Sequence, residues 1–432
     1  MQRRTFLQLL TIPAVAQVLA ACGDDKKATP DPANDASSLR GDAPRITTDA
    51  DPTAAAAAIN AFADDLFLHL TTVDPVANLV FSPASIALAL AMTSAGAKGT
   101  TLQEMDTVLH ISDPAAIHRS MNGLAASLDA ANRSQDNTPD GGTGVSEVQL
   151  SIANSLWGQA GLNFEQAFLD LLSSEYGAGM ELVDYMKDPE AARQAINGWV
   201  ATETRDRIPE LLAQGSITTD VRLTLVNAIY LKANWEHLFE PLNTVRAPFA
   251  APLGDVEVDM MHSTPTIAYA SGDGWQAIEL PYVFDELAMV VAVGDTAETL
   301  MPPLAEVVTA FSQHQVDLGF PKFDIETSVS LADTLKEMGM PTAFGNADLS
   351  GMTREASLAI SDVVHQANIT VDEEGTEAAA ATAVVMFVSM APVDGGPVTL
   401  IVDRPFTFWL RARSTGVVVF MGRVNDPSAT RG

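Results

Sequence analysis

Seven histidines and 55 acidic residues are the side chains of this sequence that could perform acid–base chemistry or bind a metal ion. A zinc or hydrolase site needs such residues at fixed spacings, for example two histidines four residues apart on one helix. The histidines follow no such spacing, and no pair of acids stands out. The sequence also lacks a serine nucleophile turn, a phosphate-binding loop and a dinucleotide-binding glycine pattern. It therefore gives no positive support for an enzyme, for a metal site or for a bound cofactor.

The single cysteine, Cys22, is the other residue with distinctive chemistry. It follows Leu19-Ala20-Ala21, at the end of an apolar run that Arg3 and Arg4 precede. Small residues before a cysteine resemble a bacterial lipoprotein signal, in which the thiol carries a lipid. We expect residues 1–21 to be the signal peptide and Cys22 to anchor the exported chain to the bacterial cell envelope, at the periplasmic face or the cell surface. A plain secretory peptide with release from the cell is the alternative, and the sequence leaves both the general and the twin-arginine export routes open.

Composition limits the partners that the rest of the chain can have. The net charge is −31, from 24 basic and 55 acidic residues, so the protein repels phosphate backbones and we expect no nucleic-acid partner. No cluster of Lys and Arg marks an early helix, so no heparin-like cofactor is expected. Residues 22–52 are rich in Asp, Pro and Ser and predict a flexible linker, whereas residues 53–428 have the composition of one globular domain.

The periodicity of apolar residues predicts an α+β fold. Ser82 and Pro83 are typical of a helix start, with Ser82 as the cap and Pro83 at the first helical position. The mostly apolar residues 223–232 predict a buried strand. The remaining predicted helices lie at 54–70, 84–95, 101–109, 165–176 and 189–204, and the strands at 148–156, 288–293, 316–323, 398–402, 406–411 and 417–424.

One segment, residues 371–382, is unusual on physical grounds. Three acids precede Gly375, and a run of small residues follows it. As a strand, this run would place Thr376 and Thr382 on one small, uncharged face and Glu377 on the other. Such a face could slide between two neighbouring strands. The alternative is a solvent-exposed helix or loop.

Several blocks of the sequence, in order and spacing, resemble the serpin family over residues 53–427. The segment from Asp372 to Thr382 resembles the hinge of an inhibitory serpin's reactive loop. The other blocks are Phe81-Ser82-Pro83-Ala84-Ser85-Ile86, Ile196-Asn197-Gly198-Trp199-Val200, Leu225-Val226-Asn227-Ala228-Ile229-Tyr230-Leu231-Lys232, Glu279-Leu280-Pro281-Tyr282, Asp348-Leu349-Ser350-Gly351-Met352, Asp403-Arg404-Pro405-Phe406 and Phe420-Met421-Gly422-Arg423-Val424.

The resemblance implies a fold with three β-sheets, about nine helices and an exposed reactive-centre loop at about residues 373–397. It implies a suicide substrate. A serine protease attacks the loop and its serine becomes acylated, the loop then inserts into the main sheet, and the covalent acyl complex is trapped. The partner would be a serine protease, and we expect a monomer. The resemblance assigns the hinge to Glu373, Gly375, Thr376, Ala378, Ala379, Ala380, Ala381 and Thr382.

Two further groups of residues follow from the resemblance. Ser82, Ser85, Asn227 and His365 are similar to the family's shutter, a polar cluster that controls separation of the strands. For His365 alone, the alternative is an ordinary buried histidine. Lys322 resembles the lysine that pairs with the hinge glutamate, here Glu373, and the alternative is two independent solvated charges.

The expected scissile bond lies within Ser389, Met390 and Ala391, by counting forward from the hinge. No Lys or Arg lies between Gly375 and Asp403, so we expect elastase-, subtilisin- or chymotrypsin-like targets with apolar specificity pockets. A non-inhibitory serpin-fold protein that binds a ligand or a partner is the alternative function. The small residues of the hinge favour inhibition, because bulky or charged residues there would stall insertion.

Overall fold

Eight α-helices and eighteen β-strands form the parts of the chain that the computed structural model describes, namely residues 37–47, 50–136, 145–296, 302–376 and 396–429. All of these residues belong to one compact unit. Within them, no helix combines the length and the apolar character needed to span a membrane. The helices are α1 (Thr53–Val73), α2 (Pro83–Ser94), α3 (Gly99–Val108), α4 (Ile117–Asp129), α5 (Gln166–Leu171), α6 (Pro189–Glu203), α7 (Leu304–Ala310) and α8 (Ala332–Met338).

The strands alternate with the helices along the chain, and most of them lie in its C-terminal half. They are β1 (Ser37–Leu39), β2 (Leu79–Phe81), β3 (Arg133–Asp136), β4 (Val145–Gln159), β5 (Met180–Val183), β6 (Leu223–Asn234), β7 (Val245–Phe249), β8 (Val256–Ser263), β9 (Thr266–Gly272), β10 (Trp275–Pro281), β11 (Leu287–Gly294), β12 (Ser312–Pro321), β13 (Phe323–Ser330), β14 (Asp362–Val371), β15 (Gly375–Thr376), β16 (Val398–Ile401), β17 (Phe406–Ala412) and β18 (Val418–Val424).

The described strands form three sheets, as the family resemblance implies, and two of these sheets share the strand β12. The main sheet has the order β1-β5-β4-β6-β15-β14-β13, with β3 also paired to β4. The second sheet runs β2-β18-β17-β11-β10-β9-β12. The far half of β12 pairs with β8 and β16 in the third sheet, which β7 completes. The predicted α+β class is confirmed.

Helix α2 lies at the centre of the main core. All of its residues are buried, and it contacts β4 and β6 of the main sheet and β18 of the second sheet. Its start has the predicted chemistry: Ser85 N–H donates to Ser82 Oγ at 3.2 Å, and Pro83 occupies the first turn. A smaller core packs α6 on the opposite face of β4 and β6. The main sheet is therefore buried on both faces beside these helices.

The predicted flexible linker, residues 22–52, is wrong for its second half. Ser37–Leu39 form β1, which pairs antiparallel with Met180–Leu182 of β5 at the edge of the main sheet. The chain then follows the end of α5, where Gly41 N–H donates to Ser173 Oγ at 2.8 Å and Ile46 N–H to Ser174 O at 2.9 Å. Backbone hydrogen bonds to an existing edge order this segment, so it needs little apolar surface of its own.

Candidate functional site

The strand β15, Gly375–Thr376, belongs to the predicted hinge of the reactive loop, and it lies inside the main sheet. Gly375 pairs with Asn234 and Thr376 with Ala233 of β6, both antiparallel. On the other side, Thr376 pairs with Val371 of β14. Gly375 and Thr376 are therefore seated between β6 and β14, the two strands that the expected loop insertion would separate.

Below β15 the same two strands pair directly. Thr224–Ala228 of β6 lie parallel to Asp362–Gln366 of β14, with Asn227 opposite His365. The boundary between β6 and β14 is called the seam below. Between this ladder and β15, residues 229–232 of β6 and 367–370 of β14 carry no assigned pairing across the seam in the described structure. The seam is thus divided by β15 at one end and closed by direct pairing of β6 and β14 at the other.

An aromatic pair forms the seat of the hinge. The rings of Trp235 and Tyr282 stack with centroids 4.5 Å apart. The Tyr282 hydroxyl and the Thr376 hydroxyl are 2.6 Å apart, and Thr376 is only 2% exposed. Burial raises the pKa of Tyr282, so its hydroxyl stays protonated and can donate. Trp235 also donates from Nε1 to Asp372 O at 3.0 Å and from its backbone N–H to Glu374 O at 2.9 Å.

Glu373 and Lys322 form the predicted ion pair, with Nζ and Oε2 2.6 Å apart. Thr244 Oγ1 donates to the other carboxylate oxygen at 2.8 Å. Burial alone would raise the pKa of Glu373, but the hydrogen bonds from Lys322 and Thr244 lower it overall. The Glu373 side chain is 12% exposed, so the carboxylate of this pair is largely removed from solvent. The alternative of two independent charges is wrong.

Gly375 is required by its surroundings. Its φ is +155°, and a Cβ at this position would lie 2.0 Å from Ala233 O. Any other residue would collide with the backbone of β6 while the hinge is seated. The turn before it is closed by Asp372, whose N–H donates to Gly375 O at 3.0 Å and whose carboxylate accepts from Glu374 N–H at 2.9 Å.

The four predicted shutter residues meet beneath the closed end of the seam. Ser82 N–H donates to His365 Nε2 at 3.0 Å, which assigns the ring proton to Nδ1. Nδ1 then donates to Asn227 Oδ1 at 2.6 Å, and Asn227 Nδ2 donates to Ser85 O at 3.0 Å. Burial lowers the pKa of His365 to about 3, so the ring is neutral at physiological pH. The contacts join α2 to both strands, and control of strand separation by this cluster stays a prediction.

Asn154 of β4 is a fifth member of this cluster that sequence reasoning missed. Its Oδ1 accepts from Ser85 Oγ and from Asn227 Nδ2, both at 3.0 Å. The only signal in the sequence is an amide in the middle of a predicted strand. Tyr282 was also missed as a hinge contact, although it ends one of the blocks that carry the resemblance.

Other predicted site residues lie outside the described ranges. These are the rest of the hinge (Ala378, Ala379, Ala380, Ala381 and Thr382), the expected scissile residues (Ser389, Met390 and Ala391) and the lipidation site Cys22. Among the described residues, no group of three or more His, Cys, Asp or Glu is arranged to hold a metal ion.

Comparison with known proteins gives the same assignment along nearly the whole folded unit. The family profile described as Serpin (serine protease inhibitor) matches residues 57–427. An uncharacterised serpin-like protein of Thermococcus kodakarensis is 36% identical over 378 residues, which cover 86% of this chain and 85% of the relative. The human leukocyte elastase inhibitor is 34% identical over 386 residues, covering 85% and 97%. The solved structure of thyroxine-binding globulin with thyroxine aligns with a TM-score of 0.73 at 27% identity, covering 86% and 99%. With its split main sheet, its seated hinge and a family match over residues 57–427, the chain belongs to the serpin family.

Proposed function

We propose that this protein inhibits serine proteases as a suicide substrate. The observation that carries the proposal is the seated hinge: β15 begins, in a defined register, the strand that insertion would complete. Family membership and the similarity to leukocyte elastase inhibitors support protease inhibition in general.

The register of β15 specifies the path that insertion would follow. Each further loop residue would pair one residue earlier along both β6 and β14. Thr382 would then lie between Asn227 and His365, whose 2.6 Å hydrogen bond must break to admit it. Because Thr376 faces the core, Ala378, Ala380 and Thr382 would also face inward, where only small side chains fit.

Insertion up to the expected scissile bond would carry a bound protease far from its starting position. At about 3.3 Å per residue, the distance from Thr376 to Ser389 corresponds to a movement on the order of 45 Å. Each new backbone hydrogen bond contributes about 1 kcal/mol net, so the completed strand is strongly favoured over the open seam. The native state would then be held by a kinetic barrier rather than by its own stability.

The proposed targets are proteases with apolar specificity pockets, of the elastase, subtilisin or chymotrypsin type. The loop from Gly375 to Asp403 offers no Lys or Arg to a trypsin-like pocket. We expect no catalytic turnover by the protein itself, no nucleic-acid partner and a monomeric inhibitor.

We also propose export with lipid attachment at Cys22, so that the inhibitor stays at the cell envelope. The support is the Leu19-Ala20-Ala21-Cys22 sequence and the absence of any other cysteine. Release to the medium after a different cleavage is the alternative.

A non-inhibitory, ligand-binding function is the competing proposal, because one solved structural neighbour is a complex of thyroxine-binding globulin with thyroxine. The alanine-rich hinge argues for inhibition, since a loop that never inserts has no need of small inward-facing residues. The test is incubation with subtilisin, elastase and chymotrypsin, followed by denaturing electrophoresis. A covalent complex that resists SDS, with active protease only, is expected. Cleavage without complex for all three proteases would refute inhibition of this target class.

A further inference from the structure

A cavity of about 620 Å³ opens beside β4, on the side of this strand away from the seam. Strand β4 has β6 along one side from Val148 to Gly158. On its other side, the pairing of β4 with β3 stops at Val148 and its pairing with β5 begins at Leu156. Residues 149–155 of β4 therefore have no strand partner on that side. The cavity occupies the space that a strand would fill.

The Asn132 side chain fills one end of this open edge. Leu150 N–H donates to Asn132 Oδ1 at 2.5 Å, and Asn132 Nδ2 donates back to Leu150 O at 3.0 Å. The amide thus imitates the backbone of a neighbouring strand for one residue. Ser151, Ile152 and Asn154 line the cavity beyond it.

The lining of the cavity is amphipathic. Because the cavity passes an open sheet edge, it receives side chains from both faces of the sheet. On the core side, the aliphatic residues Leu88 and Met92 of α2 and Leu128 of α4 line it. On the other face it is lined by Ser151, Tyr230 and Arg205.

Arg205 is the unusual residue at this site. Among the described residues its contacts are Gln149 Oε1 and the Tyr230 ring, whose centroid is 5.3 Å from Cζ, and no carboxylate pairs with it there. The other arginine of the lining, Arg133, is paired with Glu286 at 2.9 Å. In a protein of net charge −31, a guanidinium that has no acidic partner among the described residues and lies beside an aliphatic cavity is complementary to an anion.

The backbone holds Arg205 at this position in a conformation that side-chain-bearing residues rarely adopt. Arg205 and Asp206 have φ values of 53° and 62°, in the left-handed region, directly after α6. The one acid of the lining, Asp129, accepts a hydrogen bond from Asn132 Nδ2 at 3.2 Å. It therefore belongs to the end of the cavity that Asn132 closes.

We propose that this cavity binds an amphipathic alkyl carboxylate, with its carboxylate on the Arg205 guanidinium and its aliphatic chain among Leu88, Met92 and Leu128. An aliphatic chain fits, because the residues that α2 and α4 contribute to the lining are aliphatic apart from Asp129; Tyr176, which packs against the main core, adds one ring. The volume lies within the range of sites that enclose small ligands.

The site is coupled to the seam through one residue. Asn154 lines the cavity and accepts hydrogen bonds from Ser85 and Asn227 of the shutter cluster. A ligand wedged between β4 and the helices α2 and α4 resists the displacement of β4 and β6 that loop insertion requires. This regulatory consequence, unlike the binding itself, rests on the proposed inhibitory function.

Binding is tested by isothermal titration calorimetry of the full folded domain with decanoate, with 1-decanol as the uncharged comparison. One saturable site is expected, and Arg205→Gln should weaken decanoate at least tenfold while Arg205→Lys retains most of the affinity. Ala125→Phe, which fills the cavity from α4, should abolish binding. The matched control is Arg354→Gln, because Arg354 is a 73% exposed arginine outside the cavity and its loss should change nothing.

No saturable binding to the native protein would overturn the site, as would equal affinity of the native protein, Arg205→Gln and Ala125→Phe. Arg205 is exposed, so Arg205→Gln remains informative if the Phe variant does not fold. The regulatory consequence is tested separately: decanoate should lower the yield of covalent complex with subtilisin for the native protein and not for Ala125→Phe. Decanoate binding without any complex, with or without ligand, would refute the proposed function and leave the site standing.

Discussion

Thr376→Arg should convert the proposed inhibitor into a substrate. The Thr376 side chain is 2% exposed and faces the Tyr282 hydroxyl at 2.6 Å, with the stacked Trp235 beside it. An arginine at this position must be stripped of water, and no carboxylate among the described contacts of the seat faces Thr376 to receive it. An unpaired buried charge costs about 3–5 kcal/mol. If that cost appears in the barrier to insertion, insertion slows roughly a hundred- to a few-thousand-fold.

The chain offers a matched control one residue away. Because side chains alternate along a strand, Glu377 would face the opposite side from Thr376 in the inserted loop, so Glu377→Arg adds the same side chain without burying it against Tyr282. Both variants and the native protein are titrated with subtilisin, and the covalent and cleaved fractions are measured by electrophoresis. Thr376→Arg should give cleaved product almost only, and Glu377→Arg should still give complex. Undiminished complex with Thr376→Arg, or equal loss with both variants, would refute the register or the mechanism.

Four more outcomes are expected. Cleavage of the loop within residues 386–391 should raise the thermal midpoint by tens of degrees, because the inserted strand closes the seam; an unchanged midpoint in calorimetry would favour the non-inhibitory function. Gly375→Ala should unseat the hinge, because its Cβ would lie 2.0 Å from Ala233 O, and a changed Trp235 fluorescence together with faster proteolysis before residue 377 would report it. The pKa of His365 is about 3 in the folded state and about 6.5 in the unfolded state, so between these pH values only the unfolded state binds the extra proton. The free energy of unfolding therefore falls with falling pH, by about 1.4 kcal/mol per pH unit. Denaturant unfolding of His365→Gln should show a shallower loss of this free energy between pH 6.5 and 4.5, and the same pH dependence as the native protein would contradict the assignment. Cys22→Ser should release the protein from the membrane fraction, and retention there would argue against lipid attachment.

Local chemistry was enough to predict several parts of the site. The Ser82 cap and Pro83 define a helix start whatever surrounds them, and the apolar run at 223–232 matches β6 to within two residues. The Lys322–Glu373 pair followed from the family resemblance, although its burial did not. These features depend on neighbours in sequence or on one motif.

The parts that sequence reasoning missed depend on long-range pairing. Residues 37–39 are Ser-Ser-Leu and have no apolar alternation, so only the exposed edge of β5, more than 140 positions away, makes them a strand. The entry of Asn154 into the shutter cluster requires β4 to lie beside β6 in one specific register. Thr376 is seated because it pairs with both Val371 of β14 and Ala233 of β6, and no local sequence pattern predicts that these two strands lie on either side of it.

If Cys22 carries the proposed lipid, the strand β1 also limits how far the folded unit can stand from a membrane. Only fourteen residues, 23–36, then lie between the anchor and Ser37, which the main sheet holds in place. Even a fully extended chain of that length spans at most about 50 Å, against about 100 Å for a tether that ran to α1. The proposed movement of a trapped protease, on the order of 45 Å, would then be comparable to the full reach of this tether. A proteolytic cut in the short span before Ser37 would free the inhibitor and leave the folded unit, β1 included, unchanged.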